Sequence, residues 1–250
     1  MNDVVVSDTM RVLDERVSVR QYSEQSVTEA QVDAVLRSAF RAPTSSNIQS
    51  YSVVVVRDPE TKAGVAKAAG NQQHVIDCPV FLAFCADLTR IELAMARDGH
   101  TLENNNLELG LVASLDAALV GMAASLAAES VGLRGVMIGG ARNDPEEIAR
   151  LLDLPQRVYC VYGMCLGYAE TRPQQKPRMD LDTVRHFESY RREHQGPSVD
   201  AYDSELARHY RDAGRQTADN SWSNDVSSKF STRPRDGLRA ALRRMGFDFA

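Results

Sequence analysis

The sequence contains few of the residues that build metal centres and disulfide frameworks. Its 250 residues include five histidines, which show no ligand spacing, and four cysteines, which form no CxxC pair and match no zinc spacing. The cysteines, each embedded in apolar sequence, are Cys78, Cys85, Cys160 and Cys165. We therefore expect reduced thiols in the core of a cytoplasmic protein, and no metal site.

Several common catalytic motifs are also absent. The sequence has no P-loop, no G-x-S-x-G elbow and no H-E-x-x-H pair. The glycines of MIGGARN, residues 137–143, do not have the G-x-G-x-x-G spacing of a dinucleotide-binding turn. They indicate either a simple turn at a strand end or a backbone that approaches a flat ligand closely and donates an N–H to it.

A strong excess of either charge is missing as well. The chain has 29 Lys and Arg against 34 Asp and Glu, a net charge of −5, which argues against nucleic acid or an anionic membrane as a partner. Any anion site must therefore be local. No basic segment followed by an apolar one begins the sequence, so no signal peptide is predicted. The most apolar stretch, residues 107–128, carries Glu108 and Asp116 and is predicted to be a buried helix rather than a membrane span.

Helix and strand patterns alternate along the chain. Thr28 and Gln31 form a capping box before apolar residues at helical spacing. The pattern as a whole predicts an α+β or α/β single domain with a polar C-terminal extension. Strands are predicted at residues 50–58, 79–88, 134–140 and 158–168, helices after Asp58-Pro59 and Asp144-Pro145, a long helix at roughly 102–131, and two further helices near 199–212 and 234–244.

Polar side chains occur in four segments where a packed core would exclude them. In the first, Arg16, Ser18 and Arg20 alternate with Val17 and Val19, so an extended backbone would place the three polar side chains on one face. The other three are residues 42–49 (APTSSNIQ) at a helix end, Gln72 in a loop, and Lys176-Pro177-Arg178 after the fourth strand. Together the basic residues suit a phosphate monoester, whereas for each alone a solvated surface role is the simpler interpretation.

The order and content of these segments resemble the nitroreductase family. Its members commonly read R-x-S-x-R-x-F, then a helix, then A-P-(S/T)-x-x-N-x-Q, and this chain opens with RVSVRQYSEQSVTEAQVDAVLRSAFRAPTSSNIQS. The similarity continues through GNQQHVIDCPVFLAFCADL, MIGGARND, YGMCLGYAETRPQQKPR and NSWSND, and it is greatest to the larger flavin reductases and oxygen-insensitive nitroreductases. The chain departs from the pattern at Arg16, where His is common, at Val17, where Arg is common, and at Gln21-Tyr22.

The resemblance implies an FMN-binding homodimer of α+β fold, with a central, mostly antiparallel sheet flanked by helices. The long core helix would lie at the dimer interface, as would each active site. Residues 1–195 would form the FMN-binding core, and residues 196–250 a C-terminal helical extension or lid of the same domain that carries a nicotinamide-contacting loop. Apolar residues all round the long helix, with Leu111, Leu115 and Leu119 on one side, independently favour a C2 dimer.

Carried over residue by residue, the resemblance implies an FMN site without a catalytic side chain, because N5 of the flavin carries the chemistry. The residues that would bind FMN are Arg16, Ser18, Arg20, Thr44, Ser45, Ser46, Gln72, Ile138, Gly139, Gly140, Lys176 and Arg178. Arg20 would lie at the pyrimidine edge, and the last two residues would complete the phosphate site. Gln72 would offer its amide to the isoalloxazine, and the glycines would pass along the ring with a backbone N–H near N5.

The electron donor is left open between NADPH and NADH. In NADPH-preferring relatives a C-terminal loop carries two arginines that contact the 2′-phosphate. In the corresponding loop of this chain, residues 211–222, those positions fall on Ala213 and Ala218. Arg211 and Arg215 lie close by and could contact the nicotinamide cofactor instead, while neighbouring aspartates would repel a further phosphate. We therefore expect NADH to be used well, with NADPH preferred modestly or not at all.

Three functions are compatible with these features. The first is an FMN-dependent NAD(P)H oxidoreductase that reduces nitroaromatics, quinones or related small-molecule acceptors by a ping-pong hydride mechanism. The second is an NAD(P)H:flavin reductase that supplies reduced flavin to a partner monooxygenase. The third is a flavin-binding protein without turnover. An acceptor panel that includes free flavin separates the first two, and failure of bound flavin to bleach with any nicotinamide would favour the third.

Overall fold

The computed structural model describes residues 6–103, 107–215, 221–232 and 235–249. The chain forms two compact units, which we call the sheet unit (residues 1–173 and 237–250) and the helical unit (residues 174–236). The helices of the sheet unit are α1 Asp8–Glu15, α2 Glu29–Ala39, α3 Pro59–Ala68, α4 Gln73–Asp77, α5 Thr89–Arg97, α6 Leu107–Ser130, α7 Pro145–Leu151 and α11 Leu238–Arg244. Those of the helical unit are α8 Leu181–Val184, α9 Gln195–Asp212 and α10 Trp222–Phe230.

The core of the sheet unit is a four-stranded antiparallel sheet with the strand order β1-β2-β4-β3. Its strands are β1 Tyr51–Val56, β2 Val80–Asp87, β3 Arg134–Ile138 and β4 Val158–Gly167. Every residue of β2 is buried because that strand has a neighbour on each side and packed side chains on each face. All four strands were predicted from their apolar, β-branched runs, and the prediction of an α+β fold with a mostly antiparallel sheet is confirmed.

The four cysteines are also where the sequence predicts them. Cys78, Cys85, Cys160 and Cys165 are all buried and free. Cys85 and Cys160 are register partners on β2 and β4. The thiols therefore belong to the packing of the sheet.

Helix α6 packs against the sheet through small residues. Tyr162 of β4 lies so close to α6 that a Cβ on Gly121 would be 1.7 Å from its hydroxyl oxygen. The opposite side of α6 exposes a row of leucines, of which Leu115 is 61% exposed. Within the described residues α6 is also the helix whose length and composition would suffice to cross a membrane, although this holds for many core helices, and nearly half of its most apolar stretch is buried. The predicted long helix at roughly 102–131 is thus α6, which is described from Leu107 to Ser130.

The helical unit is held together by a small aromatic cluster. Helix α9 buries Tyr202, Leu206 and Tyr210, which are spaced four residues apart and so share one face. Met179 and Trp222 pack against them. The helical unit therefore has a core of its own.

Candidate functional site

The segment at residues 16–20 has the alternation that the sequence predicts. The backbone N–H of Val19 donates to the carbonyl of Gly135 at 3.0 Å, so the segment runs beside β3. Val17 and Val19 are buried, whereas Arg16 and Ser18 are half-buried and Arg20 is exposed. The polar side chains therefore point away from the core, on the face where a ligand could reach them.

Arg16 belongs to a cluster with an excess of positive charge. The side chain of Glu129 is only 6% exposed, and its Oε2 lies 3.0 Å from Nη1 of Arg134. Burial raises the pKa of Glu129, while the charges of Arg134, Arg16 and Arg172 act in the opposite direction. Arg172 is also paired with Glu15, whose Oε2 lies 3.7 Å from its Nη2. Three guanidinium groups near two carboxylates leave a small positive excess, which favours an anion. Arg134, Arg172 and Glu129 do not stand out in the sequence, because a single charge beside a strand or at a helix end is no motif.

Arg20 lies near His74, a second residue that the sequence did not single out. Burial lowers the pKa of His74, the charge of Arg20 lowers it further, and Asp77 opposes both. Nε2 of His74 is buried, and in the described part of the chain it has no hydrogen-bond partner. Because this nitrogen has almost no accessible surface, a ligand cannot reach it, and its missing hydrogen bond is a cost within the fold.

The two glycines after β3 have different surroundings. A Cβ on Gly140 would lie 2.3 Å from the carbonyl oxygen of Ala69 and 2.4 Å from Nε2 of Gln72, which itself donates to that carbonyl at 2.8 Å. On Gly139 the nearest atom would be Nη2 of Arg142 at 3.5 Å, an ordinary contact. Gly140 therefore packs against the end of α3, and only Gly139 has room for a Cβ. Ile138 is 1% exposed, and its side chain belongs to the core.

The loop after α2, residues 44–50, has an unusual backbone. Ser46, Asn47 and Gln49 have φ values of 47°, 57° and 58°, in the left-handed region that disfavours residues other than glycine. Thr44 is half-buried, and the side chains of Ser45 and Ser46 are exposed. Such strained turns persist only where surrounding contacts hold them.

The contact that holds this loop comes from Asp116 on α6. Oδ1 of Asp116 accepts a hydrogen bond from the N–H of Ser45 at 3.0 Å, and Oδ2 accepts from the N–H and the hydroxyl of Ser50 at 3.1 and 2.8 Å. In the sequence, Asp116 stood out only as a charge within an apolar stretch. A charge within an apolar helix marks Asp116 as exceptional, but it does not identify the groups that the carboxylate binds.

In the helical unit, Lys176 and Arg178 are exposed on either side of the half-buried Pro177. Nζ of Lys176 donates to the hydroxyl of Tyr210 at 2.7 Å, and the hydroxyl of Tyr202 donates to the carbonyl of Pro177 at 3.0 Å. The segment is therefore fixed to α9 both by the side chain of Lys176 and by the carbonyl of Pro177. The Lys176 ammonium lies against Tyr210, 5.0 Å from its ring centroid, although the residue as a whole is exposed.

The loop predicted to contact the nicotinamide follows α9. Arg211 and Arg215 are exposed, and the guanidinium of Arg215 lies 5.5 Å from the ring centroid of Tyr210. Gly214, with φ +71°, ends the helix between them. Ala213 is exposed as well, whereas Ala218 lies outside the described residues.

Comparisons align this chain with known proteins over almost its full length. The FMN reductase [NAD(P)H] of Bacillus subtilis (strain 168) is 34% identical, with 99% of this chain and 98% of the relative covered. The oxygen-insensitive NADPH nitroreductase of Salmonella typhimurium is 32% identical, with 97% and 99% covered. The solved structure of NfrA2 from B. megaterium has a TM-score of 0.93 at 35% identity, covering 98% of this chain and 99% of that one.

Family profiles account for both parts of the chain. The profile described as "Nitroreductase family" matches residues 13–168, and "Nitroreductase family, C-terminal domain" matches residues 176–250. Because these matches leave out only the N-terminal residues and a short connection, the resemblance seen in the sequence motifs is confirmed, and the chain belongs to the nitroreductase family.

Proposed function

We propose that this protein is an FMN-dependent NAD(P)H oxidoreductase that reduces nitroaromatics, quinones or related small molecules. The observation that carries the proposal is the outward polar face of Arg16, Ser18 and Arg20, formed beside β3 in a chain of this family. FMN, when bound, supplies the two-electron chemistry between the nicotinamide and the acceptor, so no catalytic side chain is needed.

The residues of the sheet unit fit FMN. Arg16 and Ser18 supply a guanidinium and a hydroxyl for the phosphate and ribityl groups, in a cluster whose net charge is positive. Arg20 supplies an exposed guanidinium for the pyrimidine edge. At Gly139 the backbone can approach a flat ring because no side chain stands on it.

Further residues are proposed as FMN ligands from the family pattern and their exposure. Thr44, Ser45 and Ser46 offer hydroxyl and backbone groups, and Gln72 offers its amide to the ring. Lys176 and Arg178 of the helical unit are proposed phosphate ligands. Their role is to neutralise a dianionic group with charge-assisted hydrogen bonds and so to retain the cofactor.

For the electron donor, we propose that NADH serves well and that NADPH has at most a modest advantage. Residues 196–250 are proposed as the extension that contacts the nicotinamide cofactor, through the loop that follows α9. Ala213 cannot pair with a 2′-phosphate, while Arg211 and Arg215 are exposed and can. Arg215→Ala should reduce any NADPH preference. A preference above about 100-fold that survives Arg215→Ala and Arg211→Ala contradicts this assignment, since it corresponds to nearly 3 kcal/mol from other contacts.

We also propose a homodimer formed through α6. Leu111, Leu115 and Leu119 recur every four residues and are exposed in the single chain, as a self-complementary apolar row would be. The four free thiols support a reducing compartment, so the proposed location is the cytoplasm.

A flavin reductase that releases reduced flavin to a partner monooxygenase is the second candidate. It is favoured by the relative named FMN reductase, which is similar over nearly its full length. In that case free FMN or FAD would be the best acceptor, with kcat/KM above that of any nitroaromatic or quinone.

One set of measurements tests the proposal. The purified protein should be yellow and should release FMN, not FAD, on denaturation. Steady-state kcat/KM values with NADH and with NADPH, each against a nitroaromatic, a quinone and free flavin, then rank donor and acceptor. A colourless protein that no flavin stabilises against heat, or a bound flavin that no nicotinamide bleaches, would overturn the proposed oxidoreductase.

A further inference from the structure

We propose that Asp116 is a positioning residue of the flavin site, which holds the loop at residues 44–50 in the conformation that binds FMN. This inference rests on the proposed function, because Thr44, Ser45 and Ser46 of that loop are the proposed FMN ligands. Asp116 itself has no contact with the cofactor in this scheme. It acts through the backbone of the loop.

Both carboxylate oxygens of Asp116 are used for the loop. They accept from the N–H groups of Ser45 and Ser50, at 3.0 and 3.1 Å, and from the Ser50 hydroxyl at 2.8 Å. Asp116 is 1% exposed, so these bonds are made in a desolvated environment where a charged acceptor is strong. One side chain therefore fixes both ends of the turn.

Between these ends, the backbone of the turn has an unfavourable conformation. Ser46, Asn47 and Gln49 are all in the left-handed region, where a Cβ is disfavoured. Arg90 contributes a second support, since its Nη2 donates to the carbonyl of Gln49 at 2.9 Å, but its guanidinium is half exposed. Asparagine tolerates this region, whereas Ser46 and Gln49 are strained there, so Asp116 is the buried contact that keeps two strained residues in place.

The cost of burying a charge argues that this contact serves the loop rather than the core. On α6 the neighbouring buried positions are Ala113, Ala117 and Val120. An apolar residue at 116 would pack there without desolvating a carboxylate. The loop itself adds little buried surface to the core, since Ser45 and Ser46 are exposed and the short helix Ser45–Asn47 buries no residue. What the carboxylate contributes is the shape of the loop.

The test is Asp116→Asn, which keeps the size of the side chain and removes its charge and one acceptor. In either orientation of the amide, Nδ2 cannot accept a hydrogen bond, so the N–H of Ser45 or of Ser50 loses its acceptor and the turn loses one end. We expect the FMN Kd to rise roughly ten- to hundredfold, the range for a buried donor left without an acceptor. Activity at saturating FMN should fall less than FMN affinity. Ser125→Ala is the control, because Ser125 is a buried polar residue of the same helix, and its FMN Kd should stay within about twofold of the parent, as expected of a site away from the loop.

A rescue variant separates positioning from general stability. Glycine adopts left-handed backbone without penalty, so Gln49→Gly added to Asp116→Asn should recover at least about threefold in FMN affinity, and Gln49→Ala should recover none. If Asp116 were merely structural, Asp116→Asn would lower Tm and leave the FMN Kd of the folded protein unchanged. Glycine would then restore no affinity.

The outcomes distinguish the two proposals. A parent protein that binds no FMN overturns the proposed function and this inference together. A parent that binds FMN while Asp116→Asn binds it equally well overturns the inference alone. If Asp116→Asn does not fold, Ser50→Ala removes only the hydroxyl contact and should raise the FMN Kd by about two- to tenfold, the range for one hydrogen bond to a charged group, and an unchanged Kd overturns the inference.

Discussion

Alanine substitutions at Gly139 and Gly140 distinguish a glycine that the fold requires from one that a ligand requires. The two residues are adjacent and neither has a positive φ, so alanine strains neither backbone directly. Their surroundings differ. A Cβ on Gly140 would lie 2.3 Å from a backbone oxygen and 2.4 Å from Nε2 of Gln72, whereas a Cβ on Gly139 would meet nothing closer than 3.5 Å.

The magnitude for Gly140→Ala follows from these distances. Real Cβ atoms essentially never approach another heavy atom to less than 3.0 Å, so the chain must move. The oxygen belongs to the backbone of Ala69 and accepts the hydrogen bond from Gln72, so neither neighbour moves without loss. Overpacking of this kind costs about 1–3 kcal/mol of unfolding free energy. In a chain of this length each kcal/mol lowers Tm by roughly 2–4 °C.

Gly139→Ala should behave in the opposite way. The apo-protein should unfold within about 0.5 kcal/mol of the parent, because the new methyl group makes only an ordinary contact with Arg142. FMN affinity should fall at least about tenfold, or 1.4 kcal/mol, because a methyl group now stands where the flat ring is proposed to lie.

Two measurements on the same preparations decide the matter. Urea unfolding of flavin-free protein gives stability, and a titration that follows the quenching of FMN fluorescence gives Kd. Gly140→Ala with the stability of the parent would show that the packing against α3 is wrong. Gly139→Ala with the FMN affinity of the parent would place the ring elsewhere.

Three further predictions concern other parts of the molecule. Lys176→Ala or Arg178→Ala should weaken FMN binding by about 1.5–3 kcal/mol with little change in turnover per bound flavin, and equal Kd values in parent and variants would exclude these residues as phosphate ligands. Leu115→Glu should yield monomers in sedimentation at micromolar concentration, whereas Leu93→Glu, at a leucine of α5 that is 54% exposed, should not, and a folded, active parent monomer would refute the dimer. Burial and, as a second cause, a nearby guanidinium lower the pKa of His74 in the folded protein. The free energy of unfolding should therefore be highest above the unfolded pKa near 6.5, where the ring is neutral, and should fall as the pH drops below that value. Urea unfolding at about pH 7.5 and 5.5 should show that decline in the parent and a smaller one in His74→Gln, and identical declines would contradict it.

The elements that the sequence predicts correctly are those that bury a periodic apolar face. The four strands lie within the predicted ranges, and the capping box of Thr28 and Gln31 is present in the structure. Five helices were not predicted: α1, α4, α5, α8 and α10. No residue is buried in α1, α5 or α10, and the short helices α4 and α8 bury only Val75 and Thr183. A helix that buries few or no residues needs no apolar residues at helical spacing. The sequence pattern that identifies a helix is therefore missing.

Within the candidate site, local features could be predicted from the sequence and contacts between distant residues could not. The alternation of residues 16–20 could be predicted, because it is a local property of an extended chain. The role of Asp116 could not, because its partner Ser50 is 66 residues away in sequence and its other contact is a backbone N–H that any residue could supply. His74 escaped notice for a related reason, since a lone histidine shows neither its burial nor the charge beside it.

The position of Asp116 on α6 connects two properties that are proposed separately, assembly and cofactor retention. Successive residues of a helix are about 100° apart, so the side chain of Leu115 points outward while that of Asp116 reaches the loop. A second copy covering the leucine row would restrain α6 from outside, and the same restraint would act on the carboxylate that holds residues 44–50. Loss of the dimer should therefore loosen the loop and lower FMN affinity, although Leu115 has no contact with the cofactor. Equal FMN affinity in Leu115→Glu and in the parent would show that α6 transmits no such restraint.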